Sequence, residues 1–355
     1  MKSRREATRA KVNSHHGNND CTAHADWREI IAREDIDAVM ISTPDHWHVP
    51  MAAAASKAGK DVCCEKPTLT IAEGRALIGI IRKNKTVFQT STEDRSIPVY
   101  HRMAELVRNG RIGRLKTIRV TLPPGSVPAE PPKPAAVPQG FDYDMWLGPA
   151  PEATYCTNRC GAQQWRSILD YSGGKFTDWG AHMLDTAQWA NDTERTTPVE
   201  VDGKGVFYDE SSIYTATKEY KLHYRYANGV DLYVSSGGTG IRMEGTDGWV
   251  EIPAWRKPLR ASSPEILKSV IGPEETHLFT CPQGEHRNFL DCVKSRKDPY
   301  FPVEVGHAMA TLMHLGNISM RLDRPLNWNP DEEVFVNDAE ANRMRSREMR
   351  KPWTI

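Results

Sequence analysis

The sequence predicts an α/β chain in two parts, a parallel doubly wound sheet layer over residues 1–114 and an α+β domain with a mostly antiparallel sheet over residues 115–355. Three observations carry this. Short apolar segments alternate with helical ones as far as Arg108, the pattern of parallel strands joined by helical crossovers. Period-2 alternation then dominates Val199 to Ile252, broken at Asn228-Gly229, Gly237-Gly238 and Asp247-Gly248. Finally, Val305, Met309, Leu312, Leu315 and Ile318 recur at helical spacing in the stretch from Val303 to Leu322 and read as core.

Taken in order, Lys2 to Val12 is a charged helix, and Asp26 to Arg33 is a short amphipathic one with Trp27, Ile30 and Ile31 turned inward; both read as outer helices of the layer. Strand Asp37 to Ser42, the alanine-rich helix Val49 to Gly59 and strand Asp61 to Cys64 form a parallel pair with its crossover. Helix Ile71 to Lys83, strand Val87 to Thr90 and helix Pro98 to Arg108 follow, the last ending on Asn109-Gly110. Strand Lys116 to Leu122 opens the second part. The seven prolines between Pro123 and Gly140 exclude helix and suggest a lid or arm flanking a cleft. A Gly-Gly turn feeds a helix within Ser172 to Asn191. Later helices are expected at Glu285 to Ser295, at Val303 to Leu322 and in the basic tail Asp338 to Arg350.

Composition narrows the function. The chain has 355 residues, with 39% hydrophobic and 26% charged, enough for two cores. Lys plus Arg and Asp plus Glu both total 46, so no cationic excess points to nucleic acid or an anionic membrane, and a small-molecule ligand is expected. No apolar run approaches a membrane span, and the basic start MKSRREATRAK is followed by no signal-peptide apolar region. A cytoplasmic protein is expected, with an export signal upstream of Met1 left open. Seven cysteines, two of them adjacent at Cys63-Cys64 on a buried strand, do not make a disulfide framework. Cys156 and Cys160 lack a second pair at zinc spacing, so no metal is expected.

In an open parallel sheet, ligands collect beyond the carboxyl ends of the strands. Those ends carry Ser42-Thr43-Pro44-Asp45-His46-Trp47-His48 and Glu65-Lys66-Pro67, which one ligand can touch together. The histidines at i and i+2, without a third ligand, read as hydrogen-bonding loop residues. In SGGKFTDWGAHMLDTAQWA, Thr177 is a possible cap. Asp178, His182, Asp185 and Trp189 fall on one helical stripe, and Trp179, Met183, Thr186 and Ala190 on its neighbour; one stripe packs and the other faces a cleft. A His four residues after an Asp has proton capacity and an orienting carboxylate, as removal of a hydroxyl proton requires. The alternative is a surface helix in which His182 and Asp178 only satisfy each other. Gln89, Arg95, Trp165, Arg166 and Asp185 are candidates to grip substrate hydroxyls.

The Glu65-Lys66-Pro67 tripeptide at a strand end, a Thr-Pro turn some twenty residues earlier, and the Asp178-x-x-x-His182 spacing resemble the glucose-fructose oxidoreductase, inositol dehydrogenase and rhizopine catabolism (Gfo/Idh/MocA) family of NAD(P)-dependent enzymes. The resemblance extends over nearly the whole chain, including Glu244 to Trp249, Asn288 to Val293 and Arg350 to Trp353. It implies that Lys66 hydrogen-bonds the reacting oxygen, Asp178 orients the site and His182 acts as acid or base. Ser42, Thr43, Pro44, His48, Glu65 and Lys66 would then bind NAD or NADP on its nicotinamide side. It also implies a carbohydrate substrate (a sugar, cyclitol or glycoside) and a homodimer or homotetramer paired through the antiparallel sheet. Glycoside cleavage through transient ring oxidation, or a noncatalytic scaffold subunit, are the alternatives. One departure stands out: the family's glycine-rich turn has no counterpart, because Gly17 is the only glycine before Asp37. The expectation is a Rossmann-like sheet lacking its first β-α-β unit, from a truncated chain that binds NAD poorly as it stands.

Overall fold

Hydrophobic period decides where each sheet lies. In the computed structural model, which describes residues 2–128 and 132–355, the first part comprises α1 (Lys2–His16), α2 (Trp27–Ile31), β1 (Ala38–Ile41), α3 (His48–Lys57), β2 (Asp61–Glu65), α4 (Ile71–Asn84), β3 (Phe88–Ser91) and α5 (Pro98–Arg108). Strands β1, β2 and β3 form a parallel sheet in that order, with Val62 flanked by Val39 and Phe88. Buried on both faces, β2 is continuously apolar from Val62 to Cys64 rather than alternating. The small Ala52, Ala53 and Ala55 let α3 lie close to the sheet, and Leu77, Ile78 and Ile81 of α4 complete that core. Thr70 caps α4 by accepting from the Glu73 amide, and Lys85 ends it in the left-handed region. Among the described residues β1 pairs with β2 alone, and its Met40 is 53% exposed.

The second part runs β4 (Leu115–Leu122), α6 (Tyr143–Leu147), α7 (Lys175–Ala190), β5 (Glu200–Phe207), β6 (Thr217–Arg225), β7 (Asp231–Ser236), β8 (Ile241–Gly245), β9 (Trp249–Ile252) and β10 (Arg260–Ala261). It continues through α8 (Pro264–Lys268), α9 (Glu285–Ser295), α10 (Val303–Leu322), β11 (Leu326–Asn329), β12 (Val334–Phe335) and α11 (Ala339–Arg343). The strands form one sheet in the order β10-β9-β8-β4-β7-β6-β5-β11-β12, antiparallel except where β4 lies beside β7. Ile118, Val120, Leu222, Tyr224, Leu232 and Val234 point to one face, under α5, α7 and α10. Each such fully buried aliphatic side chain contributes roughly 1.5–3 kcal/mol. Helix α10 packs on α4 and β3 as well as on β5 and α7, so one buried helix fixes the two sheets to each other.

Two expectations are corrected. Helix α1 forms but buries none of its residues, because KSRREATRAKVNSHH has no apolar stripe to dock. The tail is helical only over α11. Beyond it the backbone serves tertiary contacts, the Arg345 carbonyl accepting from the Ala72 amide and the Arg350 amide donating to the Pro149 carbonyl. Residues 129–131 of the proline-rich segment lie outside the described residues. Its described remainder is neither helix nor strand, as its prolines require, and its hydrogen bonds run to Lys218, Tyr155, Tyr220 and Phe141, none to the cleft residues.

Candidate active site

Helix α7 starts from a Ser172-Gly173-Gly174 turn. Gly174 has φ +90°, and a Cβ there would stand 2.8 Å from the Ala216 Cβ, so the turn demands glycine. This places the helix start at Lys175, two residues before the expected cap. Thr177 lies inside the first turn and donates its hydroxyl to the Gly174 carbonyl.

Lys66 follows β2 and reaches that first turn. Its Nζ donates to the Asp178 backbone carbonyl at 2.6 Å and to Oδ1 at 3.2 Å. Lys175 Nζ stands 2.9 Å from Oδ2, and Arg166 Nε 3.3 Å from Oδ1. Burial alone would raise the Asp178 carboxyl, but Lys66, Arg166 and Lys175 outweigh it and hold the group well below the usual carboxylate range. Asp178 is therefore an anion bound among three cations.

His182, one turn further along α7, does not use Asp178. Its Nδ1 is 2.6 Å from Oδ2 of Asp94, in the turn after β3, and Trp255 Nε1 donates to the other Asp94 oxygen at 3.4 Å. This corrects the expected orienting carboxylate: three cations hold Asp178 on its own side of the helix. Asp94 is wholly buried, and it fixes the ring so that Nε2 is the nitrogen left for a ligand. Trp179 and Trp255 flank the imidazole, with ring centroids 6.1 and 5.9 Å away.

The remaining residues divide. Ser42 is exposed and Thr43, Pro44 and Glu65 are half-buried beside Lys66, with Thr43 Oγ1 buried and unpartnered. His48 is different: Nδ1 lies 2.8 Å from the Pro67 carbonyl and Nε2 2.9 Å from the Thr43 carbonyl, so neither nitrogen faces a ligand. It ties the two strand-end loops together, a positioning task rather than the expected direct contact. His46 bonds the Trp146 carbonyl, which docks the α6 segment on the same turn. Arg166 lies on the Trp165 ring and joins the site through Asp178. Gln89, Arg95 and Asp185 are fully buried. Arg95 forms a two-point ion pair with Asp185, at 2.8 and 2.6 Å, and Gln89 donates to the Glu285 carbonyl, so packing takes all three away from the expected substrate contacts.

Sequence reasoning missed Asp94 and Trp255, and it placed Asp45 among the strand-end residues without giving it a role. Asp94 and Asp45 lie in the turns that follow β3 and β1 of the parallel sheet, which was the available signal. Asp45 is buried, accepts from Ser172 Oγ at 2.6 Å, and has its carboxyl pushed up to about 7 by burial against the pull of Ser172, Arg166 and Lys66.

A lysine at the end of β2 and, on α7, a histidine oriented from the turn after β3 and flanked by aromatic rings give the start of α7 groups able to exchange a proton with a ligand. The oxidoreductase family's C-terminal alpha/beta domain matches residues 127–355, and its NAD-binding Rossmann fold matches residues 2–92. The chain belongs to the Gfo/Idh/MocA oxidoreductase family. Levoglucosan dehydrogenase of Pseudarthrobacter phenanthrenivorans is 36% identical over 98 residues, 27% of this chain and 25% of that one. Myo-inositol 2-dehydrogenase of Thermotoga maritima is 32% identical over 111 residues, 31% of this chain and 32% of that one. The matched segments thus span well under half the length of these curated relatives. Among solved structures, aldose-aldose oxidoreductase of Caulobacter crescentus, complexed with glycerol, has a TM-score of 0.65 at 18% identity, covering 90% of this chain and 88% of that one. The WlbA dehydrogenase of Bordetella pertussis, in complex with NADH and UDP-GlcNAcA, has a TM-score of 0.66 at 16% identity, covering 91% and 88%. At these identities the likeness shows the fold: a parallel Rossmann-like sheet with a mostly antiparallel second sheet.

The strand-end residues fit the nicotinamide end of a dinucleotide, since the buried, unpartnered Thr43 Oγ1 offers a hydrogen bond beside Lys66 and Glu65. For the pyrophosphate end this chain has no glycine-rich turn before β1. The fit is therefore assigned to the nicotinamide end alone. Among the described residues no group of His, Cys, Asp or Glu has metal-binding geometry, and no helix is long and apolar enough to cross a membrane.

Proposed function

We propose that the protein is an NAD(P)-dependent oxidoreductase acting on a hydroxyl of a sugar, cyclitol or glycoside. The observation that carries this reading is the placement of Lys66 and the Asp94-oriented His182 around the start of α7, beside strand ends that fit nicotinamide. When bound, NAD(P) supplies the hydride acceptor. Lys66, held by Asp178, donates a hydrogen bond to the substrate oxygen and stabilises the negative charge that grows there as its proton leaves. His182 takes that proton on Nε2, and Asp94 stabilises the resulting imidazolium through Nδ1. Trp179 and Trp255 offer apolar faces to a sugar ring and exclude water. In the reverse direction His182 returns the proton.

Ring oxidation without net turnover of cofactor would extend the same residues to glycoside cleavage. The outer face of the nine-stranded sheet, where His223 stacks on Tyr233 at 4.7 Å, supports pairing into a homodimer or homotetramer, which light scattering tests. A cytoplasmic location accords with a carbohydrate metabolite as substrate. The deciding experiment is a panel of sugars, inositols and glycosides with NAD and NADP, read at the reduced nicotinamide absorbance. Turnover that Lys66→Met and His182→Ala abolish supports the reading; turnover that survives both substitutions sinks it.

A further inference from the structure

The exposed edge of α10 that carries Asn317 and Arg321 borders a second cavity, of about 610 Å³, whose lining includes none of Lys66, Asp178 and His182. Its walls come from the start of α4, from Leu169 and Asp170, and from the tail after α11. Three arginines line it, Arg321, Arg343 and Arg347. Nearby arginines differ: Arg324 pairs with Asp338 and Glu340, Arg350 pairs with Asp144, and Arg345 donates to the Asn342 and Glu333 carbonyls. Among the described residues, none of the three cavity arginines forms an ion pair. Of the two carboxylates in the lining, Glu340 is already engaged by Arg324, which leaves Asp170, and Glu73 acting on Arg347 from outside the lining, against three cations.

The arginines are also fixed. Arg321 Nη2 donates to the Thr215 carbonyl at 2.6 Å, and Arg347 Nη1 to the Leu169 carbonyl. The two anchors are adjacent, because the Thr215 hydroxyl itself accepts from the Leu169 amide at 2.9 Å. Each guanidinium thus spends one nitrogen on backbone, and among the described residues its other nitrogens have no hydrogen-bond partner. Burial in the wall lowers both below the usual arginine range; the charge of Arg347 lowers Arg321 further, while Asp170 pulls both, and Glu73 pulls Arg347, the other way. Paired, pre-oriented forks with unbalanced charge match the planar oxygens of a phosphate or carboxylate. Ile71 and Ile318 supply an apolar wall, and the volume exceeds what a bare inorganic ion fills.

We propose that this cavity binds a small organic anion through the forks of Arg321 and Arg347, the ligand carrying a phosphate or a carboxylate group. The site is distinct from the proton-transfer site but mechanically joined to it. His314 in its lining bonds the Thr68 carbonyl at 2.8 Å, two residues after Lys66, and Asp170 precedes the turn that starts α7. Occupancy braces both segments that carry the Lys66–Asp178 pair.

The test is calorimetric titration of the full chain with inorganic phosphate, glucose 6-phosphate and citrate at matched ionic strength, repeated on Arg321→Gln and Arg347→Gln. The expected result is saturable binding of at least one organic probe, millimolar or tighter, weakened about ten-fold or more by either substitution. Preference for glucose 6-phosphate assigns a phosphate ligand, and preference for citrate a carboxylate. Protection of Arg321 and Arg347 from phenylglyoxal in the unsubstituted protein, located by peptide mass, gives a second readout that does not depend on the variants folding. Binding of no probe, binding indifferent to both substitutions, or modification that no probe slows would overturn the proposal. None of these readouts uses hydride transfer, so failure here leaves the oxidoreductase reading to its own assay.

Discussion

His182 and Asp94, 88 positions apart in sequence, meet with 2.6 Å between Nδ1 and Oδ2, while Asp178, one helical turn from His182, is held by Lys66 instead. The start of α7 therefore presents two units, a histidine with its carboxylate and a lysine with its carboxylate. Asp94→Asn should leave the ring in place but remove the charge that stabilises the imidazolium. A fall in kcat of about 10²–10⁴-fold is expected, with KM nearly unchanged. Steady-state kinetics across pH read it; a variant with wild-type kcat would remove Asp94 from the mechanism.

Lys66 and Asp178 should separate activity from stability. Deleting the lysine leaves Asp178 with Lys175 and Arg166 still beside it, whereas deleting the carboxylate leaves three cations facing one another. Lys66→Met is expected to lose about 10²-fold or more in kcat with little change in thermal midpoint. Asp178→Ala is expected to lose activity and also about 3 kcal/mol of stability, as removal of one partner from a buried ion pair does. Equal thermal shifts for the two variants would contradict this asymmetry.

Arg95 and Asp185 are expected to matter for folding rather than for substrate. Both are wholly enclosed, and the Arg95 guanidinium also lies 4.5 Å from the Phe301 ring centre. Arg95→Ala or Asp185→Ala should each cost about 3–5 kcal/mol by leaving an uncompensated buried charge. The double variant Arg95→Met with Asp185→Leu should lose much less than the sum. Urea unfolding measures this. Additive losses, or a raised KM at unchanged stability, would return the pair to the substrate site.

What the sequence discloses is what repeats along it. Helix α5, with Pro98 in its first turn and Gly110 just past its end, and α10, with its periodic apolar face, have readable limits because their signals are local. The two-residue strands β10 and β12 carry no period to read and exist through pairing with β9 and β11. At the site, residue type and strand-end position expose Lys66 and His182. Their partners are another matter. Arg95 and Asp185, 90 positions apart, look like two free polar groups until the fold closes them on each other. The Asp178-x-x-x-His182 spacing suggested a pair because i and i+4 share a helix face, yet charge decided otherwise. Nothing local to Asp178 announces that Lys66 is its neighbour across 112 positions.

Asp45 gives a dependence on pH. Its carboxyl is pushed up to about 7 in the folded protein, first by burial, from an ordinary value of 3.8. The folded state thus holds this proton more tightly than the unfolded state, so the group's contribution to stability falls as pH rises from about 4 to about 7. A displacement of about three pH units corresponds to an upper bound of roughly 4 kcal/mol. Adjacent His46 works in the opposite sense: burial lowers it to about 4 from 6.5, so stability rises over that window. In the unsubstituted protein the two offset each other. Asp45→Asn keeps an oxygen for Ser172 and cannot ionise, whereas His46 is common to both proteins and cancels from the difference. The variant's stability advantage should therefore be small near pH 4.5 and largest above pH 7.5, by about 2–4 kcal/mol in urea unfolding. An advantage that does not grow with pH would mean that Asp45 stays ionised in the folded protein, its charge carried by Lys66 and Arg166.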